Sequence, residues 1–99
     1  MSPENVPLQA DFGRALRHLR AAKGLTQEDL LLATSRRHMS RIEQGHQQPS
    51  IQTVENLAAA LRIHPLTLLV AAYCPGVDAK SVQSLLQAIE RDLGDLATR

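Results

Sequence analysis

The chain has 99 residues, a formal net charge of +1 and 43% hydrophobic residues, with one Phe, one Tyr and no Trp. This composition suits one small, mainly aliphatic domain, and the near-neutral charge excludes a general polycation. No apolar run is long enough to cross a bilayer and the first residues lack the basic-then-apolar order of a signal peptide, so we expect a cytoplasmic protein without a membrane partner.

The N-terminal part of the chain divides into an arm and a first helix. Residues 1–10 contain two prolines and little periodicity, and we interpret them as a flexible arm. From about Gln9 or Asp11 to Lys23, apolar residues recur at helical spacing, and Gly24 follows as a stop, which predicts a helix. Its inward residues are Phe12, Ala15, Leu16 and Leu19.

Residues 26–45 hold two short helical patterns separated by a tight break. Thr26 is expected to cap the first by accepting a hydrogen bond from a backbone N–H, and Asp29 completes a capping-box pattern. Ser35 is expected to cap the second, and Gly45 to end it in the left-handed conformation. The residues at inward spacing are Leu30, Ala33, Met39 and Ile42. This arrangement predicts a helix-turn-helix.

The second helix of this pair carries its arginines opposite the apolar stripe. Residues 14–46 contain seven Arg or Lys and three acidic residues, so the basic character of the chain is local. The guanidinium fork matches the major-groove edge of guanine or a phosphate, and a helix N-terminus adds partial positive charge. We therefore predict a DNA-reading surface, with a solvated helix face as the plain alternative.

Two more helices complete a five-helix unit over residues 11–73. Ser50 is expected to cap a helix from about Ile51 to Leu61. The chain then breaks before Pro65, which suits the first turn of a helix that runs to about Tyr73. The core residues expected from the fourth helix are Ile51, Val54, Leu57, Ala58 and Leu61.

Residues 74–99 are interpreted as a linker and a last helix that begins at Asp78 or Ala79 and runs to about Leu96. Its apolar residues alternate by steps of four and three, as in a heptad seam. Two interpretations stay open, in which the helix packs on its own domain or pairs with a second copy of the chain. In the second case the dimerisation residues are Val82, Leu86, Ile89 and Leu93.

Other chemistries find little support in the residue pattern. Cys74 is the single cysteine, which excludes an internal disulfide and a thiolate-rich zinc site. The four histidines lack metal-ligand spacing, and no phosphate loop, metalloprotease or hydrolase motif is present. We expect no enzyme activity, no metal and no cofactor. Cys74 is interpreted as an inert, partly buried thiol, with an intermolecular redox disulfide as the alternative.

Read together, GLTQEDL, SRIEQG, QPS and HPLTLL resemble the XRE family, the phage-repressor and Cro-type helix-turn-helix regulators. The resemblance covers residues 11–70. It implies an all-α, five-helix repressor-like DNA-binding domain, followed here by one C-terminal helix. It also implies transcription regulation, usually repression, by a homodimer on a palindromic operator in double-stranded DNA. Whether a small-molecule effector acts on the protein stays open.

The resemblance also implies roles for individual positions. The expected base contacts are Arg36, Arg37, Arg41, Ser40 and His38, although His38 has helix-edge packing or a phosphate contact as alternatives. The expected phosphate contacts are Gln27, Ser35, Gln47, Gln48 and Ser50. Arg20 and Glu43 match a structural ion pair between the first helix and the recognition helix.

Two points qualify this interpretation. The interval from Leu30 to Ser40 is shorter than is most common in the family, and Thr34 and Ser35 stand where a turn glycine is usual. We therefore expect the second helix or its turn to be shortened and the recognition helix to have a different orientation.

The alternative function is a protein-interaction module, such as an antitoxin or adaptor, whose C-terminal helix binds a partner protein.

Overall fold

The computed structural model describes residues 10–74, 76 and 78–97, and these residues form helices and no strand. The predicted all-α class is therefore confirmed. The predicted arm of residues 1–10 lies outside the described residues except for Ala10. The elements in chain order are α1 (Phe12–Ala22), a 3-10 helix (Glu28–Leu30), α2 (Arg36–Glu43), α3 (Ile51–Leu61), α4 (Pro65–Tyr73) and α5 (Ala79–Ala97).

Each α-helix begins where a side chain accepts a hydrogen bond from a backbone N–H, at donor–acceptor distances of 2.8 to 3.1 Å. These bonds satisfy donors that have no partner within the helix, which is why helices start at such residues. The capping residues are Asp11, Ser35, Ser50, His64 and Asp78. After α1 and α2 the chain reverses through Gly24 and Gly45, whose φ angles of 68° and 81° cost glycine little.

The first helix of the predicted helix-turn-helix differs from the expectation. Instead of an α-helix, residues 28–30 form one turn of 3-10 helix, and a turn leads directly to the Ser35 cap. The prediction for Thr26 was wrong in its direction. Its backbone N–H and hydroxyl both donate to the Asp29 carboxylate, at 2.7 and 3.0 Å. These hydrogen bonds, chiefly the one from the N–H, hold the pKa of Asp29 below its usual value.

The core lies between α1, the 3-10 helix, α2, α3 and α4. Its largest fully buried side chains are Leu16, Leu30, Met39, Ile42, Leu57, Leu61 and Leu68. Val54 and Ala58 are buried as predicted, whereas Phe12, Leu19 and Ala33 are partly buried against the core. The prediction for Ile51 was wrong, since 80% of its side chain is exposed. Ile51 is the first residue of α3, and among the described residues no other element covers that end of the helix.

Gly13 and Arg14 both contact other helices from the N-terminal end of α1. A Cβ atom on Gly13 would lie 2.7 Å from the backbone oxygen of Glu43 and 2.9 Å from that of Ile42, so a side chain there would push α1 away from α2. Arg14 donates from Nη2 to the carbonyl oxygens of Ala71 and Cys74, at 2.9 and 3.0 Å. Residue 13 thus sets the spacing to α2, and Arg14 satisfies the carboxyl end of α4.

The C-terminal helix α5 has no buried residue. Val82 and Leu85 are half-buried, and with Leu86 and Ile89 they line apolar grooves whose other wall is α4. Farther along the helix, Leu93 is 58% exposed. The domain therefore covers the seam of α5 only in part, at the end near α4.

Two further observations concern the predictions about membranes and the thiol. In the described ranges, no single helix is long and apolar enough to span a membrane. Only α3 and α4 taken together have that length and composition, and the chain bends by 106° between them. Cys74 is 3% exposed, which is deeper than the partly buried thiol that we expected.

Candidate nucleic-acid interface

The orientation of α2 is set by a buried carboxylate at its C-terminal end. The Glu43 side chain is 6% exposed and accepts hydrogen bonds from Nε and Nη2 of Arg20, at 2.9 and 3.1 Å. Arg20 also donates from Nη1 to the Leu25 carbonyl oxygen, at 3.1 Å. Because the guanidinium group binds both carboxylate oxygens, it fixes the carboxylate in direction as well as in distance. The residues expected to form a structural ion pair therefore join α1, the following loop and α2.

Gln27 is part of the same network. Its amide nitrogen donates to Oε1 of Glu43 at 2.9 Å, and its side chain is half-buried. The amide group carries two N–H donors, so one remains for another acceptor such as a phosphate oxygen. Gln27 thus holds α2, and a second amide N–H remains for the phosphate contact that was predicted from the sequence.

Five of the residues predicted to contact DNA surround one shallow depression on the surface of α2 and the following loop. The residues that line it are Ser35, Arg37, His38, Arg41 and Gln47. Arg37 and Arg41 are exposed, and Nε of Arg41 donates to Oε1 of Gln47 at 3.3 Å. The depression therefore combines two guanidinium groups with a hydroxyl, an imidazole and an amide, which are the groups that bind base edges and phosphates.

The other two predicted base contacts, Arg36 and Ser40, are not among the residues that line this depression. Arg36 is the first residue of α2, and its Nη2 lies 3.3 Å from Oε1 of Glu28 in the 3-10 helix. Ser40 is half-buried, as is His38. The structure thus places Arg36 on the side of the preceding turn, whereas Arg37 and Arg41 face the loop after α2.

The predicted phosphate contacts after α2 fall into two places. Gln47 and Gln48 both line a recess between the loop and the N-terminal end of α1. The Ser50 hydroxyl caps α3 by accepting from the Thr53 N–H, and it donates to the Thr53 hydroxyl. Gln48 is consequently not part of the depression on α2, and Ser50 is already engaged at the start of α3.

Residues 11–70 match a family model described as a helix-turn-helix domain. The chain belongs to the helix-turn-helix family. Among solved structures, the restriction-modification controller protein C.AhdI from Aeromonas hydrophila is 39% identical with a TM-score of 0.55, over 60% of this chain and 92% of that one. The clp gene regulator ClgR from Corynebacterium glutamicum is 30% identical with a TM-score of 0.60, over 91% of this chain and 89% of that one.

These similarities support the predicted relation to XRE-type regulators. A search of curated proteins found no significant match. With the basic surface of α2, the family membership makes this helix-turn-helix chain a DNA-binding transcriptional regulator.

Sequence reasoning missed several residues that shape the helix-turn-helix. No contact was assigned to Gly13, Arg14 or Arg17 from the sequence. In the structure Gly13 lies against the backbone of α2, Arg14 donates to carbonyl oxygens at the end of α4, and Arg17 donates to the carbonyl oxygen of Glu43. Likewise, no contact was assigned to Glu28, whose side chain pairs with Arg36. No local pattern reveals such contacts, because each joins residues from two different elements. Among the residues that the structure describes, no group of His, Cys, Asp or Glu is placed to hold a metal ion.

Proposed function

We propose that this helix-turn-helix protein is a repressor that reads a palindromic operator in the major groove as a homodimer. The observation that carries the proposal is the depression on α2, with the exposed Arg37 and Arg41 on its rim and Arg36 beside it. Arginine is the side chain that most often reads guanine, through two hydrogen bonds. Because Glu43 and Arg20 hold α2 firmly, these side chains are presented in a preset orientation, which lowers the cost of binding.

In this proposal α2 enters the major groove, and its arginines contact bases together with Ser40 and His38. The residues proposed to hold the phosphates on either side are Gln27, Ser35, Gln47 and Gln48. Ser50 would join them only by turning its hydroxyl proton from Thr53 to a phosphate oxygen. Two half-sites about one DNA turn apart, roughly 34 Å, would receive the two copies of α2. An operator that overlaps a promoter is then blocked by occupancy. We place this activity in the cytoplasm and assign it no cofactor.

The first test is selection of random duplex DNA by the purified protein, followed by sequencing. The wild-type protein is expected to enrich a palindrome, and the double variant Arg36→Ala, Arg37→Ala to lose it. Each arginine that contacts a base should contribute about 1 to 3 kcal/mol to operator binding. Affinity for the enriched sequence, measured by fluorescence anisotropy at two salt concentrations, checks this magnitude.

A matched control for charge is the double variant Lys80→Ala, Arg91→Ala, which removes two exposed cations from α5. This variant should retain the palindrome. If the wild-type protein enriches no motif and its binding only falls steeply with salt, the binding is general phosphate attraction, and sequence-specific repression is wrong. That result would favour the partner-protein function.

The homodimer is expected to form through the seam of α5. Leu86, Ile89 and Leu93 are 46%, 38% and 58% exposed, an arrangement that leaves apolar surface for a second helix. The variant Leu86→Asp, Ile89→Asp should sediment as a monomer, because four carboxylates would meet in an apolar seam. The control Gln83→Asp, Gln87→Asp adds the same charges to exposed positions outside the seam and should remain dimeric. A seam variant that still sediments as a dimer would contradict this assignment.

A further inference from the structure

One acidic side chain contacts the basic surface of the recognition helix. Oε1 of Glu28 lies 3.3 Å from Nη2 of Arg36, and the two side chains are 71% and 60% exposed. The other two acids of the helix-turn-helix are engaged elsewhere, since Asp29 accepts from Thr26 and Glu43 is buried with Arg20. Glu28 is therefore the carboxylate that approaches DNA when Arg36 does.

A carboxylate at this position works against simple attraction to DNA. It repels the phosphates, and it neutralises a guanidinium group that would otherwise bind them. An exposed ion pair of this kind also contributes little to folding stability. Neither phosphate binding nor the fold accounts for Glu28, whereas the direction of the Arg36 fork does.

The guanidinium group of arginine is planar and has five N–H donors. A carboxylate oxygen that accepts from Nη2, as Oε1 of Glu28 does, limits the directions in which the remaining donors point. A guanine reader needs this restriction, because both of its hydrogen bonds to N7 and O6 lie in the plane of the base. Arg36 is at the first position of α2, where no preceding helical turn supports its side chain. The contact to Glu28 provides that support from the neighbouring element.

We propose that Glu28 is a specificity-determining residue of this regulator, which positions Arg36 for one base pair and weakens binding to DNA of other sequence. Glu28 acts through Arg36 and is a positioning residue. This inference rests on the proposed function, since it requires that α2 reads bases.

The test compares Glu28→Ala with the wild-type protein in the same DNA selection, together with binding to an unrelated duplex. In the variant, discrimination at the base pair read by Arg36 should fall by about three- to tenfold, a part of what a bidentate arginine provides. Affinity for the unrelated duplex should rise, and the slope of log K against log salt should steepen by about one. The variant Glu55→Ala, which removes an exposed carboxylate from α3, should change none of these.

A double-variant comparison shows whether Glu28 acts through Arg36. In the Arg36→Ala background, Glu28→Ala should leave base preferences unchanged, because there is no guanidinium group to position. If Glu28→Ala in the wild-type background retains the same base preferences at every position, the inference is overturned while the proposed function stands. If the wild-type protein itself enriches no motif, the proposed function fails and this inference fails with it. Thermal melts of each variant verify that the fold is intact.

Discussion

Replacing Glu43 with alanine is expected to lower the free energy of unfolding by about 3 to 5 kcal/mol. Glu43 is 6% exposed and accepts hydrogen bonds from Arg20 and Gln27, so its removal leaves a guanidinium group, itself only 20% exposed, without its counterion. Most of this free energy comes from leaving the Arg20 guanidinium group partly buried without a counterion. The intact pair itself adds little net stability, because its attraction is largely offset by the desolvation of both charges. Urea-induced unfolding followed by circular dichroism would measure the loss.

Glu28→Ala is the matched control for this prediction. It removes an identical side chain that also pairs with an arginine, but at 71% exposure water replaces the lost contact. Its expected effect is below about 1 kcal/mol. A Glu43→Ala variant as stable as Glu28→Ala would show that the network around Glu43 is dispensable, and the account of how α2 is held would then be wrong.

Replacing Ile42 with alanine is expected to cost about 2 to 5 kcal/mol, while the same change at Ile51 should cost less than about 0.5 kcal/mol. Ile42 is 1% exposed on the inner side of the recognition helix, and its loss leaves a cavity between α1 and α2. Ile51 is 80% exposed at the first position of α3. The two variants delete the same atoms, so the difference in unfolding free energy measures burial alone.

Chemical denaturation of both variants under one set of conditions would check this pair. Equal losses would mean that Ile51 is covered in solution, for example by a second molecule. In that case the loss of stability caused by Ile51→Ala should grow with protein concentration. The periodicity of the sequence alone predicts equal losses, and the structure does not.

Much of the fold follows from local signals that the sequence carries. The apolar spacing identified Leu16, Met39 and Leu57 as core residues, since a helix brings every third and fourth side chain to one face. Ser35, Ser50, Gly24 and Gly45 marked four helix ends, because short polar side chains satisfy free N–H groups and glycine adopts positive φ. The resemblance also led to the Arg20 and Glu43 positions, which lie within hydrogen-bond distance.

Local signals were insufficient at the first helix of the helix-turn-helix. Thr26 and Asp29 have the residue types of a capping box, yet the short interval before the Ser35 cap leaves one turn of 3-10 helix. The short interval predicted that either the second helix of the domain or the turn after it would be shortened, but it did not show which of the two. That outcome depends on where α2 must lie to bury Met39 and Ile42 against α1, which is a tertiary requirement.

The sequence by itself determined the all-α class, the helix-turn-helix family and the arginine-rich surface of α2, because these depend on residue type and spacing within one element. Only the tertiary structure decided that Ile51 is exposed, that Gly13 lets α1 approach α2, and that Glu28 meets Arg36. Each of these depends on the end or surface of one element meeting another. Helical periodicity predicts on which side of its helix a side chain lies. Whether that side chain is buried or paired depends on whether another element packs against that side.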